Sequence, residues 1–277
     1  MTDLALGEDA ASRRRAAESL LAFWAEAGVD ACHGDAPCDR LQLQPPSAPS
    51  QRALAGAPTS ATLDADSAAS EAEGLSAARS AAAGAGDLAE LAGAIAAFDG
   101  CALKRTGALR SVFSRGAGDA PLMVIGEAPG AEEDARGEPF VGRAGRLLDR
   151  MLASAGVADK SFITNTVFWR PPGNRTPTLA EQRLCAPFLE RAILLVRPKL
   201  LLVVGAAAAR AVLGANEGIL AARGRWFEWA SHDGAIRIPA LPTLHPAFLL
   251  RQPEAKKKVW ADLLRLAERL DQITGRL

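Results

Sequence analysis

Between Leu122 and Asp134 the chain passes from an apolar run into a Gly-rich turn and then into a row of acids. Leu122 to Ile125 reads as a buried strand. In Gly126-Glu127-Ala128-Pro129-Gly130, the two glycines permit a tight turn with backbone close to a ligand. Glu132, Glu133 and Asp134 suit a helix N-terminus, where the helix dipole favours negative charge. Open α/β sheets bind their ligands beyond the carboxyl ends of the strands. Glu127 and Glu133 are expected at such an end.

The same unit recurs downstream. After the strand at 121–125, a helix following Gly142 carries Leu147, Leu148, Met151 and Leu152. A second strand at 161–167 contains Asn165 and leads into the polar loop from Trp169 to Pro177. A helix at 178–195, a third strand at 199–204 ending at Gly205, and a helix from Ala207 to Leu213 follow. Residues 225–229 and 235–239 are expected to pair as a hairpin around Asp233-Gly234. A fourth strand at 240–244 ends at His245-Pro246, and a last helix covers 254–272. Strands alternating with helices predict a three-layer α/β sandwich. A central four-stranded parallel sheet should carry helices on both faces.

Upstream of this unit the composition changes. Leu20, Leu21, Phe23 and Trp24 fall near helical spacing, so residues 1–30 are expected to hold an amphipathic helix. Residues 31–85 are rich in Ala, Ser, Pro and Gly, with few large apolar side chains to offset ordering entropy. They are expected to be a disordered linker, which leaves 86–277 as the main folded domain. Within that domain Asp87 to Phe98 reads as a capped helix, followed by a basic loop from Gly100 to Thr106.

Equal numbers of basic and acidic residues, 32 each, hide an asymmetry. Residues 1–85 hold 6 basic and 12 acidic side chains, and the remainder holds 26 and 20. The mildly basic second part is compatible with a polyanionic partner. The sequence has no apolar run long enough for a membrane span and no basic-then-apolar start, so neither an anchor nor a signal peptide is expected. Four unevenly spaced cysteines do not suggest a disulfide framework, and a reducing, cytoplasmic setting is expected.

Strand ends in a parallel sheet lie on one side, so Glu127, Asn165 and His245 are expected to share a crevice. Each has a plain alternative: a helix-start carboxylate, an Asn satisfying loop backbone, a satisfied core histidine. Phe140, in a Gly/Pro loop just beyond the acids, either caps the core or stacks on a planar ligand. Phe248-Leu249-Leu250-Arg251 after His245 is either a helix start packed on the sheet or a wedge into a base stack. Arg170, Arg175 and Arg251 are candidate phosphate contacts.

These blocks together resemble the uracil-DNA glycosylase superfamily, most closely its family 4. Gly126-Glu127-Ala128-Pro129-Gly130 with Glu133-Asp134, and then Pro139-Phe140-Val141-Gly142 with Ala144-Gly145, resemble the family's first motif. Asn165 with Arg170-Pro171-Pro172-Gly173-Asn174-Arg175 resembles the second block, and His245-Pro246-Ala247-Phe248-Leu249-Leu250-Arg251 the last. The resemblance spans about residues 95–270 and leaves residues 1–85 outside.

It implies a DNA repair enzyme that flips out uracil and hydrolyses its N-glycosidic bond, leaving an abasic site. Implied catalytic residues are Glu127 and His245, with Glu133 as a second candidate carboxylate. Gly126, Ala128, Phe140 and Asn165 would bind uracil. Leu249, Leu250, Arg251, Arg170 and Arg175 would contact or intercalate DNA. Alternatives are a broader glycosylase for hypoxanthine and xanthine, or a uracil- or abasic-DNA binding module with little turnover. Uracil-containing DNA is the expected partner of a monomer, and the N-terminal segment is a candidate docking element for a repair or replication protein.

The sequence departs from family 4 in its cysteines. The resemblance implies four that hold a 4Fe–4S cluster, and only Cys101 and Cys185 match. Phe98 and Trp169 stand at the other two positions. The cluster is therefore expected to be absent, its volume filled by these two rings, unless Cys32 and Cys38 supply the missing thiolates. No metal is expected in the chemistry.

Overall fold

A computed structural model describes residues 60–275, with side chains from residue 71 onward. The expected helix within 1–30 lies outside the described residues, as does the linker up to 59.

The described chain opens with helix α1 (Ser60–Gly84) and α2 (Leu88–Ala97), followed by the short α3 (Ala102–Arg105) and strands β1 (Ser114–Gly116) and β2 (Leu122–Gly126). Next come α4 (Ala131–Arg136), α5 (Arg143–Ser154), β3 (Ser161–Asn165), α6 (Leu179–Val196) and β4 (Leu200–Val204). The chain continues through α7 (Ala206–Leu213), α8 (Ile219–Ala222), β5 (Phe227–Ala230), β6 (Arg237–Thr243), α9 (Pro246–Arg251) and α10 (Lys256–Thr274).

The sheet order is β1-β3-β2-β4-β6-β5. The four inner strands are mutually parallel, while β1 and β5 add antiparallel edges on β3 and β6. The three-layer sandwich is as expected, but the sheet has six strands rather than four. Alternation along β2 shows how the layers form. Met123 and Ile125 enter a core shared with α2, α6 and α7, while Leu122 and Val124 enter the opposite core with α5 and α10.

Two further expectations need correcting. The second hairpin strand and the fourth parallel strand are one element, β6: its Ala240 pairs with Phe227 on one side and Leu201 on the other. Pro239 and Pro242 lie inside it, and proline reads in sequence as a strand boundary. Residues 60–84, expected to be disordered, form α1, which packs along α6. Ala78, Ala82 and Ala85 are buried in the same core as Phe188 and Leu189. Gly74 lets the helix approach closely, since a Cβ there would meet Leu184 at 3.2 Å. Alanine has the best helix propensity and permits close packing, so a segment short of large apolar residues is ordered here all the same. The ordered unit therefore begins well before residue 86. The Arg191 guanidinium fastens the α1–α2 junction by donating to the Ala85 carbonyl at 2.5 and 2.8 Å.

Asp87 caps α2, its carboxylate accepting from Glu90 N–H at 2.8 Å. The segment expected as a basic loop contains α3.

Candidate active site

The carboxyl ends of β2, β3 and β6 open into a cleft of about 540 Å³. Glu127, Ala128, Phe140, Asn165 and His245 all line it. Gly126 ends β2 and pairs with Asn165 at the end of β3, so the turn and the amide are neighbours by register.

Gly126 is required by crowding rather than by its backbone angle. A Cβ there would lie 2.4 Å from Phe140 Cζ and 2.5 Å from Asn165 Oδ1. The Phe140 ring and the Asn165 amide thus close over a bare Cα. Phe140 itself has φ +56°, a left-handed conformation rare for an aromatic residue. Such strain costs on the order of 1–3 kcal/mol and must be held by its surroundings. The holding contacts are visible. Arg115 donates to the Pro139 carbonyl at 2.8 Å and pairs with Asp149 at 2.5 Å. Gly145 lets α5 approach, since a Cβ there would sit 1.7 Å from the Phe140 carbonyl oxygen. The ring stacks on His245 with centroids 5.7 Å apart and planes inclined by 29°.

Asn165 is 1% exposed, and its Oδ1 is a buried acceptor with no hydrogen-bond partner among the described residues. Leaving such an atom unpaired costs about 1–3 kcal/mol. An unpaired acceptor in a cleft wall is suited to a ligand N–H.

His245 caps α9, with Nδ1 accepting from Ala247 N–H at 3.2 Å. That bond requires an unprotonated Nδ1, so a neutral ring carries its proton on Nε2. Burial pushes the imidazole down from 6.5 to about 4; the nearby Arg251 charge adds to the fall and Glu133 opposes it. His245 is therefore a neutral donor at pH 7. Gly205, at φ +97°, leaves room for it: a Cβ there would meet His245 Cβ at 3.2 Å. The strand end that carries His245 is anchored to α10, where Thr243 Oγ1 donates to buried Asp262 at 2.7 Å.

The two candidate carboxylates differ. Glu133 uses both oxygens: Oε2 accepts from Gly130 N–H at 3.1 Å and Oε1 from Gly142 N–H at 2.9 Å. It ties the two Gly-rich turns together. The Glu127 side chain lines the cleft and has no such bond among the described residues, while its carbonyl accepts from Thr166 Oγ1 at 2.7 Å. Asp134, expected only as a helix-start acid, is buried and accepts from Leu109 N–H at 2.9 Å.

The DNA-facing candidates separate more sharply. Leu249 is fully buried, packed with Leu241, Val259 and Leu263, and cannot serve as an intercalating wedge. Its neighbour Leu250 is 38% exposed, and Phe248 and Arg251 line the cleft. Helix α9 docks through alternate sides, so adjacent leucines have opposite fates. Arg175 reaches the cleft rim, but Glu181 holds its guanidinium through bonds of 2.6 and 2.9 Å, so it is not a free phosphate ligand. Arg170 donates to Asn174 Oδ1 at 2.7 Å and does not line the cleft. Asn174, at φ +57°, does line it and was not singled out from sequence, although a Gly-Asn turn was visible there.

Cys101 and Cys185 are both buried and free. They lie in the α2–α6 core rather than in the cleft.

A profile of the uracil DNA glycosylase superfamily matches residues 113–264. A type-4 uracil-DNA glycosylase of Sulfurisphaera tokodaii is 37% identical over 155 residues, covering 54% of this chain and 70% of that protein. The one from Thermotoga maritima is 39% identical over 142 residues, covering 50% and 71%. The one from Archaeoglobus fulgidus is 34% identical over 154 residues, covering 54% and 76%.

Proposed function

Because the chain belongs to the uracil DNA glycosylase superfamily, in its type-4 branch, we propose that it excises uracil from DNA and leaves an abasic site. The observation that carries this reading is the buried, unpartnered Asn165 Oδ1 beside Phe140 and His245 in one cleft.

Uracil presents N3–H as a donor next to O4 as an acceptor. The Asn165 carboxamide answers with Oδ1 and Nδ2. Cytosine presents the reverse pattern and would meet like against like. A site built around such a pairing rejects the wrong partner by about 10⁴-fold or more, because its buried polar groups stay unpaired. The base must leave the stack to reach Asn165. Phe140, already held in a strained backbone, stacks on it.

As the glycosidic bond breaks, electrons move onto uracil, chiefly at O2 and O4, and the sugar becomes cationic. His245 donates from Nε2 to O2. A neutral donor stabilises that anion without first protonating the base. One preorganised donor of this kind contributes about 3–4 kcal/mol. The Glu127 carboxylate faces the cationic sugar and orients the water that attacks C1′. Glu133 holds the Gly130 and Gly142 turns and so shapes the pocket instead of reacting. Leu250 and Arg251 fill or flank the space left by the flipped nucleotide. No step requires a metal.

Uracil-containing DNA is the partner this reading requires. We also propose that the protein acts as a monomer and that its N-terminal segment docks a repair or replication protein.

Incubation of a uracil-containing oligonucleotide with the full chain, followed by alkali, tests the activity. Strand breakage at the uracil position is expected. An unbroken strand with bound protein would favour a binding module instead, and breakage at hypoxanthine at a matching rate would favour the broader glycosylase.

A further inference from the structure

We propose that this protein folds without an iron–sulfur cluster, an aromatic core built on Phe98 and Trp169 filling the place, with Cys101 and Cys185 kept as a reduced thiol pair. The type-4 resemblance implies a cluster held by four cysteines, and the residues present do not fit it.

The donor set is too small. Among the described residues, no three of His, Cys, Asp and Glu are placed to hold a metal ion together. Glu181, the acid whose charge acts on both thiols, is already committed: Arg175 and the Thr178 N–H both donate to it. Both matching cysteines, Cys101 and Cys185, are free thiols buried in this core.

The space is also taken. Phe98 and Trp169 are buried in the same core as both thiols. The Phe98 ring meets Phe188 edge-on at 5.2 Å. Phe168 meets Trp169 at 6.3 Å and Phe188 at 6.4 Å, again edge-on, so the four rings form one continuous packing. The backbone follows the ring as well. Phe98 folds back over Gly100, where a Cβ would lie 2.4 Å from Phe98 Cζ. The turn leading to Cys101 is therefore shaped around an aromatic side chain. A cluster at this position would have to displace two fully packed rings to reach even two thiolates. Extra ligands from Cys32 and Cys38, which lie outside the described residues, would leave that steric conflict in place.

The test uses the full chain, purified without oxygen and then incubated with ferrous iron and sulfide. Iron, acid-labile sulfide and absorbance around 400 nm are read after gel filtration. The expected result is background iron before and after reconstitution, with all four cysteines titrating as free thiols in denaturant. Roughly four irons per chain with matching sulfide would overturn the proposal. So would any smaller amount of iron that disappears in the Cys101→Ala/Cys185→Ala variant, whereas iron that persists in that variant is adventitious and upholds it. If the variant folds poorly, paramagnetic resonance of the dithionite-reduced wild type decides: a cluster signal overturns the proposal and its absence upholds it. These readouts do not depend on uracil excision, so the two proposals fail separately.

Discussion

His245 gives the most quantitative expectation. Its imidazole titrates at about 4 in the fold against 6.5 for an unperturbed group, because folding buries it. Neutral His is the folded form, so between these values the unfolded chain binds the extra proton. Stability is therefore fully present above pH 6.5 and is lost as pH falls towards 4. At pH 4.5 the loss from this residue amounts to about 2 kcal/mol. Many carboxylates also titrate there, so the residue is isolated by comparison with His245→Gln, which cannot titrate. Urea unfolding of both proteins at pH 7.5 and pH 4.5 should show wild type losing about 2 kcal/mol more than the variant. The same reasoning applies to activity. Wild-type single-turnover uracil release should show no inflection between pH 5.5 and 8 from this group, while the variant should be about 10²-fold slower throughout. Equal acid sensitivity of the two proteins, or a wild-type inflection near 6.5 that vanishes in the variant, would refute a neutral His245 donor.

Other substitutions separate shape, chemistry and DNA contact. Gly126→Ala places a methyl 2.4 Å from Phe140 Cζ, so it should displace the ring and slow base release by about 10²-fold. Its melting temperature, read by calorimetry, should fall by the equivalent of about 1–3 kcal/mol. Glu127→Gln should leave stability within about 0.5 kcal/mol while lowering the rate by about 10²-fold or more. Glu133→Gln should do the reverse in emphasis: it turns an amide NH2 donor towards a backbone N–H donor, at a cost of about 1–3 kcal/mol in urea unfolding. Leu249→Ala should destabilise by about 2–5 kcal/mol as a core cavity. Leu250→Ala should leave unfolding unchanged within about 0.5 kcal/mol and weaken capture of uracil in duplex DNA.

The parts of the site that lie at strand ends were legible from sequence. Gly126, Asn165 and His245 each follow a short apolar run, and parallel pairing brings such ends together whatever the intervening loops do. What was not legible depended on how separate pieces dock. Glu133 and Gly142 lie nine residues apart, and their bond exists only because the Phe140 loop turns back over α4. Leu249 and Leu250 look alike in sequence, and only the direction in which α9 meets the β6 side of the core decides which is buried. The Ala-rich α1 does not stand out in sequence because it carries little apolar bulk, while its close approach to α6 depends on small residues such as Gly74, Ala78 and Ala82. The short edge β1 carries too few residues to show a period of its own.

The central claim is that the Asn165 carboxamide reads uracil in this cleft. It is tested most directly by the rate of free base release from matched uracil and cytosine oligonucleotides, for wild type and Asn165→Asp, under single turnover. Wild type should prefer uracil by about 10⁴-fold or more, and the variant should narrow that ratio by about 10²-fold or more as the amide donor to O4 is lost. No uracil release by wild type, or the same ratio in both proteins, would contradict the account.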